Sequence, residues 1–279
     1  MRRMAAINFV YFVTTALLLY VHEVNSILPP SLKIDASEAP FMVYVRNQRH
    51  YCGGVILHER IVLTANHCLA KNTMTVAAGR SVKYSNDGNV QTVVVEKTLP
   101  HEEYSLDPNG IQAYNDVGLL LLATPLSFNK YVQPIELTSE VNFNESATLY
   151  GWGSTDAFVN SPSFYLRARN ISLIEHDLCV ELLNKAVTKC TKQEYEICGE
   201  KSACNGDSGS PISQKVNNVT KLIGIVSWLA DDNISCDTSP AVFESIGHFS
   251  QWIKDGMRAL LKGNSTENQD DNENVVHVS

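Results

Sequence analysis

From Phe41 onward the apolar residues come in short runs rather than long helical stripes, and clusters of Gly, Asn, Asp and Pro separate them. The runs predict strands over 41–45, 55–57, 61–64, 90–97, 117–122, 147–151, 166–173, 222–228 and 241–243. Many short strands with turn signals between them mean a β-barrel or a sandwich. Near the C-terminus the period changes: Ile246, Phe249, Ile253, Met257 and Leu260 recur at three- and four-residue spacing, one face of a helix that closes the domain.

The two ends depart from this pattern. Arg2 and Arg3 precede an apolar run, and Val24, Asn25 and Ser26 place short residues where a signal peptidase would cut, so 1–26 reads as a secretory signal. Beyond 262 the chain is rich in Asn, Asp, Glu and Ser and too poor in apolar residues to offset its ordering entropy. We therefore expect a signal peptide at 1–26, one globular domain at 27–262 and a disordered acidic tail at 263–279. In between, 44% hydrophobic and 19% charged residues suffice for a packed core.

The formal charge of −8 and the lack of a basic stripe argue against nucleic-acid partners and against an anionic membrane surface once the signal is removed. Seven cysteines (52, 68, 179, 190, 198, 204 and 236) lack the paired spacing of zinc sites, and in an oxidising compartment they suggest disulfides with one thiol left over. Sequons at Asn144, Asn170, Asn218, Asn233 and Asn264 agree with a secreted, extracellular glycoprotein.

The strongest chemical signal is Cys204-Asn205-Gly206-Asp207-Ser208-Gly209-Ser210-Pro211. A serine hydroxyl becomes a nucleophile when a base takes its proton, and a Gly-x-Ser-Gly turn can aim backbone N–H groups at a developing oxyanion beside it. Alone, such a string is equally an ordinary β-turn. Thr64-Ala65-Asn66-His67-Cys68 supplies a histidine at a strand end, and Asn115-Asp116-Val117-Gly118 an aspartate before an apolar strand. Either one by itself is more often structural. Together with Cys52-Gly53-Gly54, Gly151-Trp152-Gly153, Ser227-Trp228 and Gln251-Trp252-Ile253, they make 40–253 resemble the chymotrypsin/trypsin family of serine proteases.

The resemblance implies an all-β fold of two antiparallel six-stranded β-barrels with a C-terminal α-helix and the active site between them. It implies a serine-type endopeptidase in which Ser208 attacks, His67 transfers the proton and Asp116 orients the imidazole. The N–H groups of Gly206 and Ser208 would bind the oxyanion, and Ser227 would support Asp116. Ser227-Trp228 would pair with extended substrate. It further implies disulfides Cys52–Cys68, Cys179–Cys198 and Cys204–Cys236, which leaves Cys190 over; the spacing alone does not fix this connectivity. Expected partners are protein or peptide substrates and protein protease inhibitors, with the enzyme a monomer. The mechanism needs no cofactor and no metal.

Two departures from the family pattern bear on function. Trypsin-like members carry an aspartate six positions before the nucleophile, where this chain has Ser202, so a substrate Arg or Lys would find no buried counter-charge. Leu229 and Ala241 stand where glycines are usual on the pocket walls, which points to small or medium uncharged side chains, elastase- or chymotrypsin-like. The second departure concerns activation. There is no Ile-Val-Gly-Gly start to supply an amine to Asp207. Cleavage after Lys33 would free Ile34, but 34–40 reaches at most about 20 Å; Ile27 has the reach, yet Pro29 and Pro30 follow it. The alternative is a zymogen-like homologue that binds or regulates without catalysing. Lastly, Asn66 and Ser210 add polar side chains near the site, each needing a partner if buried.

Overall fold

The unbroken apolar runs at 61–64 and 118–122 become neighbouring strands of a closed barrel, and they are unbroken because both of their faces are covered. The computed structural model describes residues 31–262 apart from 48–49, 86–87, 155–161, 187–191, 230–235 and 237–238. The expected signal and tail, Ile27, Pro29, Pro30, Cys190, Asn233 and Asn264 lie outside the described residues.

The N-terminal half contributes β1 (Leu32–Lys33), β2 (Met42–Arg46), β3 (Tyr51–His58), β4 (Ile61–Thr64), β5 (Thr75–Ala78), β6 (Gln91–Pro100), β7 (Ser105–Leu106), β8 (Ala113–Tyr114) and β9 (Gly118–Leu122). The C-terminal half contributes β10 (Glu136–Leu137), β11 (Ala147–Gly151), β12 (Arg167–Ile171), β13 (Leu173–Ile174), α1 (His176–Ala186), β14 (Ile197–Gly199), β15 (Pro211–Val216), β16 (Val219–Leu229), β17 (Ala241–Ser245) and α2 (Ile246–Lys262).

Strands β2-β3-β4-β9-β6-β5 close the first barrel. Val62, Leu120 and Leu122 point into it with Val43, Val45 and Val76, while Ile61, Leu63, Leu119 and Leu121 pack outward against Trp152, Ile225 and Ile253 of the second half. Full burial of a leucine contributes about 1.5–3 kcal/mol, so this double-faced packing is a main source of cohesion between the halves.

The second half carries the six-stranded antiparallel path β12-β11-β15-β16-β17-β14, extended by β1 and β13 into a nine-stranded sheet that β10 joins in parallel at β16. Only Ser172 separates β12 from β13, whose pairing with β14 brings both ends of that path onto one stretch of chain; α1 follows, with Cys179 tied to Cys198 on β14. Periodicity does not reveal α1, because only Cys179 and Leu183 are buried on it. The short strand β5 was also missed: alanines at 77 and 78 break the run of bulky residues.

The predicted C-terminal helix is α2, and it buries Ile246, Phe249, Ile253 and Leu260. Gly256 lets it approach the first barrel closely, since a β-carbon there would lie 2.8 Å from the side chains of Leu119 and Leu99. The helix thus starts in the second half and braces the first.

Candidate active site

His67 sits on a single 3-10 turn, Asn66–Cys68, at the end of β4. The Cys52–Cys68 disulfide fastens this turn to β3, and Asn66 Oδ1 accepts the His101 N–H at 3.2 Å, which satisfies that buried side chain. The imidazole is about a third exposed, at 32%, whereas Asp116 beneath it is wholly buried. Asp116 precedes β9 and follows Asn115, which adopts φ +52°, a left-handed turn that asparagine tolerates better than most residues.

The aspartate collects three donors. Its Oδ1 accepts the His67 backbone N–H at 2.9 Å, and its Oδ2 lies 2.6 Å from His67 Nδ1 and accepts the Ser227 hydroxyl at 2.7 Å. Its own N–H donates to Glu244 Oε1 at 2.9 Å. Desolvation pulls the imidazole pKa down, but the charge of Asp116 and its hydrogen bond outweigh that, and the net shift is upward. Nδ1 is thereby committed to the carboxylate, leaving Nε2 as the nitrogen free to take a proton.

Ser208 lies on the loop before β15. Gly206 and Gly209, at φ +96° and +73°, give the turn its shape, and it is closed by Asp207 N–H to Cys204 O at 2.9 Å and Ser210 N–H to Asp207 O at 2.8 Å. The Ser208 carbonyl accepts the Gly53 N–H at 2.8 Å and so stitches this loop to the first barrel. The N–H groups of Gly206 and Ser208 have no acceptor among the described residues. Ser208 and His67 line one cleft of about 350 Å³ without hydrogen-bonding to each other.

Asp207 is completely buried and accepts the N–H groups of Gly153 at 2.8 Å and Cys204 at 3.0 Å. No cation among the described residues lies within ion-pair contact of it. Burial pushes its pKa up to about 7, against those two bonds and the attraction of Lys83. Lys83 is itself buried, its ammonium 3.4 Å over the Tyr51 ring, with its pKa pushed down to about 8 chiefly by desolvation.

Of the anticipated pocket residues, Ser227, Trp228 and Leu229 line the cleft, while Ser202 and Ala241 lie fully buried outside its lining. Leu229 stands directly opposite Ala241 in the β16–β17 register. The Ser202 hydroxyl is buried without a partner, as is that of Ser210. Disulfides join Cys52 to Cys68, Cys179 to Cys198 and Cys204 to Cys236. Asn144, Asn170 and Asn218 are exposed.

Sequence reasoning missed the opposite wall of the cleft, formed by Tyr104, Leu106, Ile111 and Ala113 on and around the β7–β8 hairpin. No motif marks these positions. The nearest signal is Asp107, whose carboxylate accepts the N–H groups of Ile111 and Gln112 and shapes the hairpin.

A two-part fold built on a closed barrel, with a histidine and a buried aspartate on one side of a cleft and a Gly-Asp-Ser-Gly turn on the other, defines a class of hydrolase, and comparison with known proteins agrees. The sequence model of the Trypsin family matches residues 33–253, and the chain belongs to that family as a serine endopeptidase. It is 30% identical to kallikrein 1-related peptidase b22 of Mus musculus over 84% of this chain and 91% of the relative. It is 31% identical to lectizyme of Glossina austeni, over 80% and 84% of the two chains, and 33% identical to kallikrein-2 of Homo sapiens, over 78% and 84%.

Proposed function

We propose that this protein cleaves peptide bonds with Ser208 as nucleophile, His67 as general base and then acid, and Asp116 as the group that fixes the imidazole. The observation that carries this is the 2.6 Å approach of His67 Nδ1 to the thrice-bonded Asp116, in the cleft onto which Ser208 opens. In the reaction Nε2 takes the Ser208 proton as Oγ adds to the carbonyl, and the unengaged N–H groups of Gly206 and Ser208 receive the oxyanion. The imidazolium then protonates the leaving amine, and water repeats the sequence on the acyl-enzyme.

Small or medium uncharged side chains fit the primary pocket. Ser202 brings no charge to its base, and Leu229 set against Ala241 narrows its wall. The apolar Leu106 and Ile111 across the cleft favour apolar residues further along the substrate. The domain assignment completes the reading: a signal peptide at 1–26, a secreted protease at 27–262 and an acidic tail at 263–279, with Asn144, Asn170 and Asn218 as exposed glycosylation candidates. Substrates are proteins or peptides, protease inhibitors are further partners, and the enzyme acts as a monomer without a cofactor.

A second reading, a zymogen-like protein, is favoured by the lack of a cation against Asp207 among the described residues. Processing after Lys33 would cut within a paired segment, since β1 is bonded to β12 and the Ile34 N–H donates to Leu166 O at 3.0 Å. A panel of peptide substrates applied to the secreted protein, with Ser208→Ala as control, tests both. Cleavage after Ala, Val or Leu that vanishes in the variant is the expected result. Preference for Arg or Lys overturns the specificity, and no cleavage of any peptide favours the second reading.

A further inference from the structure

Behind Asp116 lies a second buried acid that the mechanism above does not use. Glu244, on β17, is completely buried, and its Oε1 accepts the Asp116 N–H. Its Oε2 is buried with no hydrogen-bond partner. Glu196, just before β14, is the next acid in line, 3% exposed, and accepts the Trp228 indole N–H at 2.9 Å and the Gln193 N–H at 2.6 Å. Three carboxyl groups from three separate segments are therefore buried together.

Three anions so placed repel one another strongly, and the proton goes where the anion is least supported. Asp116 has three donors, and Glu196 has two and the attraction of Lys192. Glu244 has one neutral N–H on Oε1 and, near it, only the Ser227 hydroxyl, whose proton is given to Asp116 at 2.7 Å. Burial first, and then the charges of Glu196 and Asp116, push the Glu244 pKa well above the carboxylate range; burial also pushes Glu196 up, to about 7. The phenol of Tyr195 faces the same acids and is pushed up as well, chiefly by burial.

We propose that Glu244 is a positioning residue for the reaction, a neutral acid that holds Asp116 by its backbone amide without placing a second negative charge behind His67. The inference rests on the triad reading. Its amide bond matters because Asn115 sets the aspartate at the end of a left-handed turn, and a buried N–H left without an acceptor would let that turn shift. Neutrality matters because another anion near the imidazole would raise its pKa further and leave less of it unprotonated, and so able to take a proton, at neutral pH.

The test compares Glu244→Gln and Glu244→Leu in the secreted chain by kcat, KM and the pH profile of kcat/KM. Glutamine retains the acceptor and the neutral charge. Its acid limb should coincide with that of the unaltered enzyme and its kcat should exceed that of the leucine variant at least about tenfold, since misplacing a catalytic group by an ångström costs up to about 100-fold. KM should stay unchanged throughout. If the leucine variant does not accumulate, Glu244→Asp, which withdraws the carboxyl by one methylene, replaces it with the same expected loss. Undiminished kcat in the leucine or aspartate variant overturns the positioning role, and a downward move of the acid limb in the glutamine variant shows Glu244 to be ionised and overturns its neutrality. An unaltered enzyme that neither cleaves peptides nor takes a fluorophosphonate sinks the triad reading, and this inference with it.

Discussion

At the residue scale the site is an exercise in holding one charge where it is needed. Asp116 raises the pKa of His67 above its ordinary 6.5 despite the cost of desolvating the ring. A base must be neutral to act, so activity rises with pH through that raised value and is lost below it. For stability the sign is the reverse: the imidazolium–carboxylate attraction is fully present below the unfolded pKa and disappears as pH rises through the folded one. In Asp116→Asn only the desolvation remains, so the acid limb of kcat/KM should move downward while kcat falls by about 10⁴-fold, the loss that the archetype of this family shows. An unmoved acid limb in that variant would mean that the charge of Asp116 does not reach the imidazole. His67, Asp116 and Ser208 were legible in the sequence because each lies in a short motif. Glu244 and Glu196 were not, because an acid near a strand end reads as solvated, and only the pairing of β14 with β17 and the packing of β17 behind Asp116 bury the two together.

At the scale of elements, local geometry is set by a few obligatory conformations. Gly206 is the clearest: a β-carbon there would lie 2.7 Å from Tyr51 Cε2, on a backbone at φ +96° that side chains rarely adopt. Gly206→Ala should therefore cost about 1–3 kcal/mol, read as a lowered urea midpoint, and should slow peptide cleavage as the turn shifts. A midpoint equal to that of the parent would mean the turn is free to relax. Strands with bulky β-branched or leucine runs, β4 and β9 above all, could be read directly, as could the single-faced helix α2. The two-residue strands β1, β7, β8, β10 and β13 could not, since nothing local distinguishes them from loop, and the partners of β1, β10 and β13 lie far off in the chain.

At the scale of the whole molecule, the cleft is a seam. His67 and Asp116 come from the first barrel, Ser208, Ser227 and Glu244 from the second half, and α2 and the Gly53-to-Ser208 bond hold the two in register. The site therefore exists only when both halves are folded and docked, and a reagent that needs all of it reports on the entire account. A fluorophosphonate is such a reagent, because it bonds to a serine only when a base has activated the hydroxyl and donors stabilise the adduct. The protein should take up one such group per chain, located by peptide mass at Ser208 and lost in His67→Ala. Correctly processed protein that takes up none, or takes it up at another residue, would contradict the assignment of the site.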